Sequence, residues 1–108
     1  MFKNLFAGLD YPQTAPPLFP FGSLKLSNKV QWLDRKGLIE PLQYVQRHIR
    51  GDWGDVRDDQ RHANLDALQS DNVLISHYAI TPRLLIAVVT NADRTVTVVQ
   101  LPEEDLSF

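Results

Sequence analysis

Val73-Leu-Ile-Ser-His-Tyr-Ala-Ile80, Leu84-Leu-Ile-Ala-Val-Val-Thr90 and Thr95-Val-Thr-Val-Val-Gln-Leu101 are three runs rich in β-branched residues. Turn signals at Pro82-Arg83 and Asn91-Ala-Asp-Arg94 separate them. Such runs suit a pleated, half-buried surface and predict a C-terminal meander of three strands. The middle run is apolar on both faces, which places it at the centre of the sheet. In the third run Val96 and Val98 fall on one face, Thr95 and Thr97 on the other. Pro102 stops that strand, and Glu103-Glu-Asp105 reads as a solvated tail.

Upstream the period changes from two to that of a helix. Ser27 is a fitting N-cap for a helix over residues 28–36, with Val30, Leu33 and Trp32 facing inward and Gly37 at its end. Pro41 suits the first turn of a second helix ending near Arg50, with Leu42, Val45 and Ile49 as its core stripe. Asp55 to Asp59 favour the start of a third helix that ends near Ser70. Phe21 to Leu26 alternates enough for a short edge strand. The expected fold is therefore α+β, with about three short helices on a three- to four-stranded antiparallel sheet formed by residues 23–108. Residues 1–22 form a Phe/Pro-rich arm. Phe2, Leu5, Phe6 and Leu9 share one helical face that must dock on the domain, on a second copy or on a partner, or else fray. Pro12, Pro16, Pro17 and Pro20 then impose extended chain, a linker or surface strap.

Composition narrows the function classes. One domain of 108 residues is long enough to bury its own core. The absence of cysteine excludes disulfides, thiolate metal sites and thiol nucleophiles, and fits a cytoplasmic home. Neither a signal peptide nor a membrane span is expected. Residues 1–50 carry seven Lys/Arg against three Asp/Glu, and residues 51–108 carry four against ten. Lys25, Lys29, Arg35, Lys36, Arg47 and Arg50 could thus form a basic face that meets an acidic partner or, weakly, nucleic acid.

Between the second and third helices lies His48-Ile-Arg-Gly-Asp-Trp-Gly-Asp55, richer in chemical groups than a connector requires. Gly51 and Gly54 are expected at positive φ or at a close backbone approach. Asp52 and Asp55 can cap turn or helix N–H groups. Trp53 either lies on the core as a lid or projects as a partner anchor. His48, near a helix C-terminus, is favoured by the dipole when protonated. Asn64 falls among the apolar positions Val56, Ala63, Ala67 and Leu68, and is expected to brace the 51–55 loop. Asp93 serves the second hairpin turn, and Arg94 can meet an acid or a phosphate. Ser76 and Tyr78 point away from His77 on their strand, so no Ser–His pair arises there. The aspartates lack calcium-loop spacing, and no metal or cofactor is expected.

Taken together, His48-x-x-Gly-Asp-Trp-Gly-Asp55, Asn64-x-x-x-Leu68, Leu74-Ile-Ser-x-Tyr78, Asn91-Ala-Asp-Arg-x-Val-Thr-Val98 and Leu101-Pro-Glu-Glu104 resemble a family of small bacterial proteins found on plasmids and other mobile elements. The resemblance covers roughly residues 38–104. Asn91 stands where that family has an acidic residue, and Val98 where it has a threonine. The family carries no established activity to transfer. The reading that follows is a non-catalytic interaction or accessory protein, binding a protein partner or itself through the loop, with Trp53, Asp52, Asp55, Asp93 and Arg94 in contact. The alternative is an enzyme for a phosphorylated or nucleotide-like substrate, in which His48, Asp52, Asp55 and Arg94 converge. A weak nucleic-acid binder is the third reading.

Overall fold

A computed structural model describes residues 16–108. The elements run β1 (Ser23–Leu26), α1 (Asn28–Arg35), α2 (Pro41–Ile49), α3 (Asp58–Ser70), β2 (Leu74–Thr81), β3 (Leu84–Thr90) and β4 (Val96–Gln100). The fold is α+β, and its sheet has the order β1-β4-β3-β2. β2, β3 and β4 form the expected antiparallel meander, with β3 central. β1 departs from the antiparallel expectation, because it pairs with β4 in parallel. The chain leaves β1 into α1, α2 and α3 and returns to the sheet through β2, so the direction of β1 is set by a long crossover and not by a hairpin.

Ser27 caps α1 as its sequence suggests, accepting from the Val30 N–H at 3.2 Å. Val30 is the residue of α1 that is fully buried, while Trp32 faces solvent, contrary to the inward position expected of it. In α2 the inward stripe is Pro41, Val45, His48 and Ile49. Leu42, expected in that stripe, is exposed, and His48 takes an inward place. α3 begins at Asp58, with Asp58 and Asp59 in its first turn, and buries only Asn64 and Ala67.

The core gathers Val30, Ile39, Val45, Ile49, Trp53 and Val56 from the helical half against Leu74, Tyr78, Ile86, Val88 and Val99 of the sheet. Phe19 joins it, and the Leu18 N–H donates to the Ile49 carbonyl at 2.7 Å. The packed body thus reaches back before residue 23 through Phe19, while Pro16, Pro17, Leu18 and Pro20 stay exposed. The paired expectation for Phe2, Leu5, Phe6 and Leu9 lies outside the described residues. Gly22 shows why the chain turns where it does. Its φ is +68°, and a Cβ there would lie 2.2 Å from the Thr95 carbonyl oxygen.

The tail is less free than its charges imply. Glu104 accepts from the Ser27 hydroxyl at 2.8 Å and from the Leu101 N–H at 2.7 Å. Its carbonyl accepts from the Gln100 amide at 2.9 Å. One carboxylate therefore ties the end of β4 to the cap of α1. Among the described residues, no helix is long and apolar enough to cross a membrane.

Candidate functional site

The elbow after α2 is where the sequence concentrates its chemistry, and the structure places it against the outer edge of β2. An edge strand presents unpaired N–H and C=O groups that must be satisfied or covered. Here the elbow does the covering. The His77 N–H donates to the Trp53 carbonyl at 3.1 Å, and the Asp55 N–H donates to the His77 carbonyl at 2.6 Å. The Asp55 carboxylate accepts from the Ala79 N–H at 3.1 Å. One step earlier, Asn64 of α3 donates to the Ile75 carbonyl at 2.7 Å and accepts from its N–H at 3.1 Å. Residues 75, 77 and 79 are thus closed in turn, as an added strand would close them.

That geometry corrects the expected role of Asn64. Its amide braces β2 and not the 51–55 loop, because α3 lies along the strand edge and aims position 64 at Ile75. It also explains Gly54, whose φ is +70° and where a Cβ would lie 2.1 Å from the His77 carbonyl oxygen. No side chain fits between the elbow and the strand.

Inside the elbow the remaining groups are also engaged. Arg47 grips Asp52 with two nitrogens, at 2.7 and 3.3 Å. Its guanidinium lies 4.6 Å from the Tyr78 ring centroid, and the Asp52 bond holds its pKa above the usual value. The Tyr78 hydroxyl donates to the Asp52 carbonyl at 2.6 Å. Burial pushes that phenol well above the usual range. Gly51 ends α2 with φ +87°.

Trp53 is 3% exposed. It forms a lid on the core and is not available as a partner anchor. Its ring stacks on Phe19 and meets His48 edge-on, at centroid distances of 6.5 and 5.8 Å. His48 is fully buried, so the expected protonated role at a helix end does not hold. Burial, helped by the charge of Arg94, pushes its pKa down to about 3.

The protons around His48 can be placed from one fixed end. The Thr97 hydroxyl donates to the Phe21 carbonyl at 2.7 Å, which spends its only proton. At 2.6 Å from it, Thr90 must then be the donor. Thr90 therefore accepts from His48 Nε2 at 2.9 Å, and Nδ1 is left to accept from the Ser76 hydroxyl at 2.6 Å. His48 is neutral, with its proton on Nε2. A serine donating to an imidazole is the resting arrangement of a nucleophile and its base. Yet Ser76, His48, Thr90 and Thr97 are all 0% exposed, so no substrate can reach them. The chain is a satisfied core network.

Arg94 is used in the same way. It donates to the carbonyls of Ala67, Asn72, Asn91 and Ala92, closing the C-terminal end of α3 and its own turn. Among the described residues it forms no ion pair. Asp93 keeps to its expected part, accepting from the Thr95 N–H and hydroxyl. His48, Asp52 and Arg94 do not join Asp55 in its recess. Asp55 lines a recess of about 280 Å³ with Val56, Arg57, Asp59, Gln60 and His77, and that recess holds neither His48, Asp52 nor Arg94. No cluster of three or more metal-ligating side chains occurs among the described residues.

The sequence reading missed the Ser76–His48 pair, because its partners lie on different elements. It also missed Trp32, which is 49% exposed. Alternating burial along β2 was the available signal for Ser76, since Leu74 and Tyr78 on the same face must point to the core. Comparison with protein-family profiles, curated proteins and solved structures returned no match.

Proposed function

We propose that this chain is a non-catalytic interaction module that works by binding a protein partner. One observation carries the reading. Every candidate catalytic group either lies in the closed core or is spent on backbone and ion-pair bonds, so binding is what the remaining surface can do. The exposed side chains include several large apolar ones, among them Trp32, Leu38, Leu42 and Leu65. They offer the contact points, whereas the 51–55 loop has its tryptophan turned inward. The resemblance to proteins of mobile elements supports an accessory factor as the setting.

In-cell cross-linking followed by purification of the full chain is expected to recover a stoichiometric protein partner or a self-associated species. Recovery of the monomer alone would overturn the reading. Turnover of a phosphorylated or nucleotide-like substrate, abolished by Asp55→Asn at the recess, would put the enzymatic alternative in its place.

A further inference from the structure

We infer that the cleft between α1 and the Leu84/Leu101 end of the sheet docks an apolar side chain of a partner protein, flanked there by carboxylates. The inference rests on the interaction-module reading and names the surface and the chemistry of its partner. The cleft is about 240 Å³ and is lined by Lys29, Trp32, Leu33, Leu84 and Leu101. Its wall is apolar throughout, so Lys29 contributes its alkyl stem and keeps its charge at the rim.

The spacing along α1 makes this a built surface. Positions 29, 32, 33 and 36 lie on one helical stripe, so the apolar pair Trp32-Leu33 has a lysine at either end. The Lys36 ammonium sits 5.6 Å from the Trp32 ring centroid. Among the described residues neither lysine forms an ion pair. Of the other cations described in the basic half, Arg47 is paired with Asp52, Arg50 bonds Gln46 and Lys25 reaches the Ser107 carbonyl, while Arg35, also on α1, forms no ion pair among the described residues. Three cations without an ion pair among the described residues, Lys29, Arg35 and the C-cap Lys36, thus belong to the helix that carries the exposed Trp32.

Charge complementarity selects the occupant. A second copy meeting this stripe across a two-fold axis would set Lys29 and Lys36 against their own equivalents, which is unfavourable. A nucleic-acid strand would satisfy the lysines, but the cleft offers its bases no hydrogen-bonding group. The acidic Glu103-Glu104-Asp105 run also follows two residues after Leu101. A protein segment with a Leu or Phe anchor can keep its carboxylates on the α1 side and away from that run. Exposed aromatics in such settings are frequent interface anchors.

The test uses the full chain and three synthetic peptides: Glu-Glu-Leu-Phe-Glu-Glu, the same with lysines for glutamates, and the same with alanines for Leu-Phe. The two indole N–H signals are followed by NMR and assigned with Trp32→Phe. The acidic peptide is expected to move the Trp32 signal and leave that of Trp53 in place. Its affinity should fall roughly 3- to 10-fold in a Lys29→Glu/Lys36→Glu variant, and fall again with added salt. The alanine peptide should not bind. No shift at Trp32, equal binding of the lysine peptide, or tighter binding of oligothymidylate would each overturn the inference. A cross-linked partner retained by Trp32→Ala would overturn the cleft while sustaining the module. No partner at all would overturn the module itself.

Discussion

The two tryptophans of this chain have exchanged the places their sequence settings suggest. Trp53 stands in a glycine- and aspartate-rich loop and is 3% exposed, whereas Trp32 stands mid-helix and is 49% exposed. The elbow around Trp53 is closed toward the sheet and the core: the Trp53 carbonyl, the Asp55 N–H and the Asp55 carboxylate bond β2, and the Trp53 ring lies against Phe19 and His48. The α1 face around Trp32 has its cations and its apolar wall unspent. The contrast teaches that density of chemically capable residues does not mark the working surface. A segment that must close a strand edge also collects such residues, because backbone groups demand short polar side chains and glycines.

The harshest way to break the closed region is Gly54→Ala. The added methyl would meet the His77 carbonyl at 2.1 Å and Tyr78 Cδ1 at 2.6 Å, from a backbone at φ +70°. A loss of roughly 3 kcal/mol or more is expected, because both the φ penalty and a backbone clash apply. Urea denaturation followed by far-UV circular dichroism reads it, and a midpoint close to wild type would mean the elbow does not seat on β2.

Next in size is the cost of charging His48. Its folded pKa lies below the ordinary value, so the unfolded chain takes up a proton first as pH falls. Stability on this account is complete above about pH 6.5 and declines as pH drops toward the folded value, by on the order of 1.4 kcal/mol per pH unit. His77, whose pKa is also lowered by burial, adds to the slope in the same direction. Denaturation midpoints between pH 6.5 and 4.5 should fall for wild type and much less for His48→Gln. Parallel slopes in the two proteins would show that His48 is not held neutral in the core.

How much of this was legible in the sequence follows from the range of each interaction. The meander and all three helices rest on local periodicity, so Val73 to Leu101 and the Ser27 and Pro41 starts were readable, and the third start to within Asp55–Asp59. The parallel pairing of Ser23–Leu26 with Val96–Val99 was not, because it joins residues some seventy positions apart. Asn64 was flagged as a polar group on a buried stripe, but its partner Ile75 lies across a turn whose geometry no pattern encodes. His48 was misplaced for a related reason. Leu42 looked the better core residue by hydrophobicity, yet Ser76, Thr90 and Thr97 together offer the imidazole a fully bonded site. The unspent stripe at Lys29, Trp32 and Lys36 was hidden by the usual presumption that a helical tryptophan faces inward.

Asn64→Ala separates edge closure from elbow closure. The variant strips both bonds from Ile75 without touching Trp53, and leaving a half-buried backbone pair unmet should cost about 1 kcal/mol. Hydrogen exchange should quicken at the Ile75 amide and remain slow at His77, which the elbow still covers. Equal quickening at both would mean that helix and elbow act as one brace.

The smallest effect belongs to Trp32→Ala, and its smallness is the point. If the α1 face is a surface kept for a partner, its tryptophan contributes little to folding, and truncation should change stability by no more than about 0.5 kcal/mol. Lys36 would lose its ring contact, but an exposed cation–π pair is worth only about 0.5–1 kcal/mol at most, and solvent takes up the ammonium. A loss of several kcal/mol in urea titrations would place Trp32 in the core's service, as Trp53 is. The two tryptophans would then differ in position but not in role.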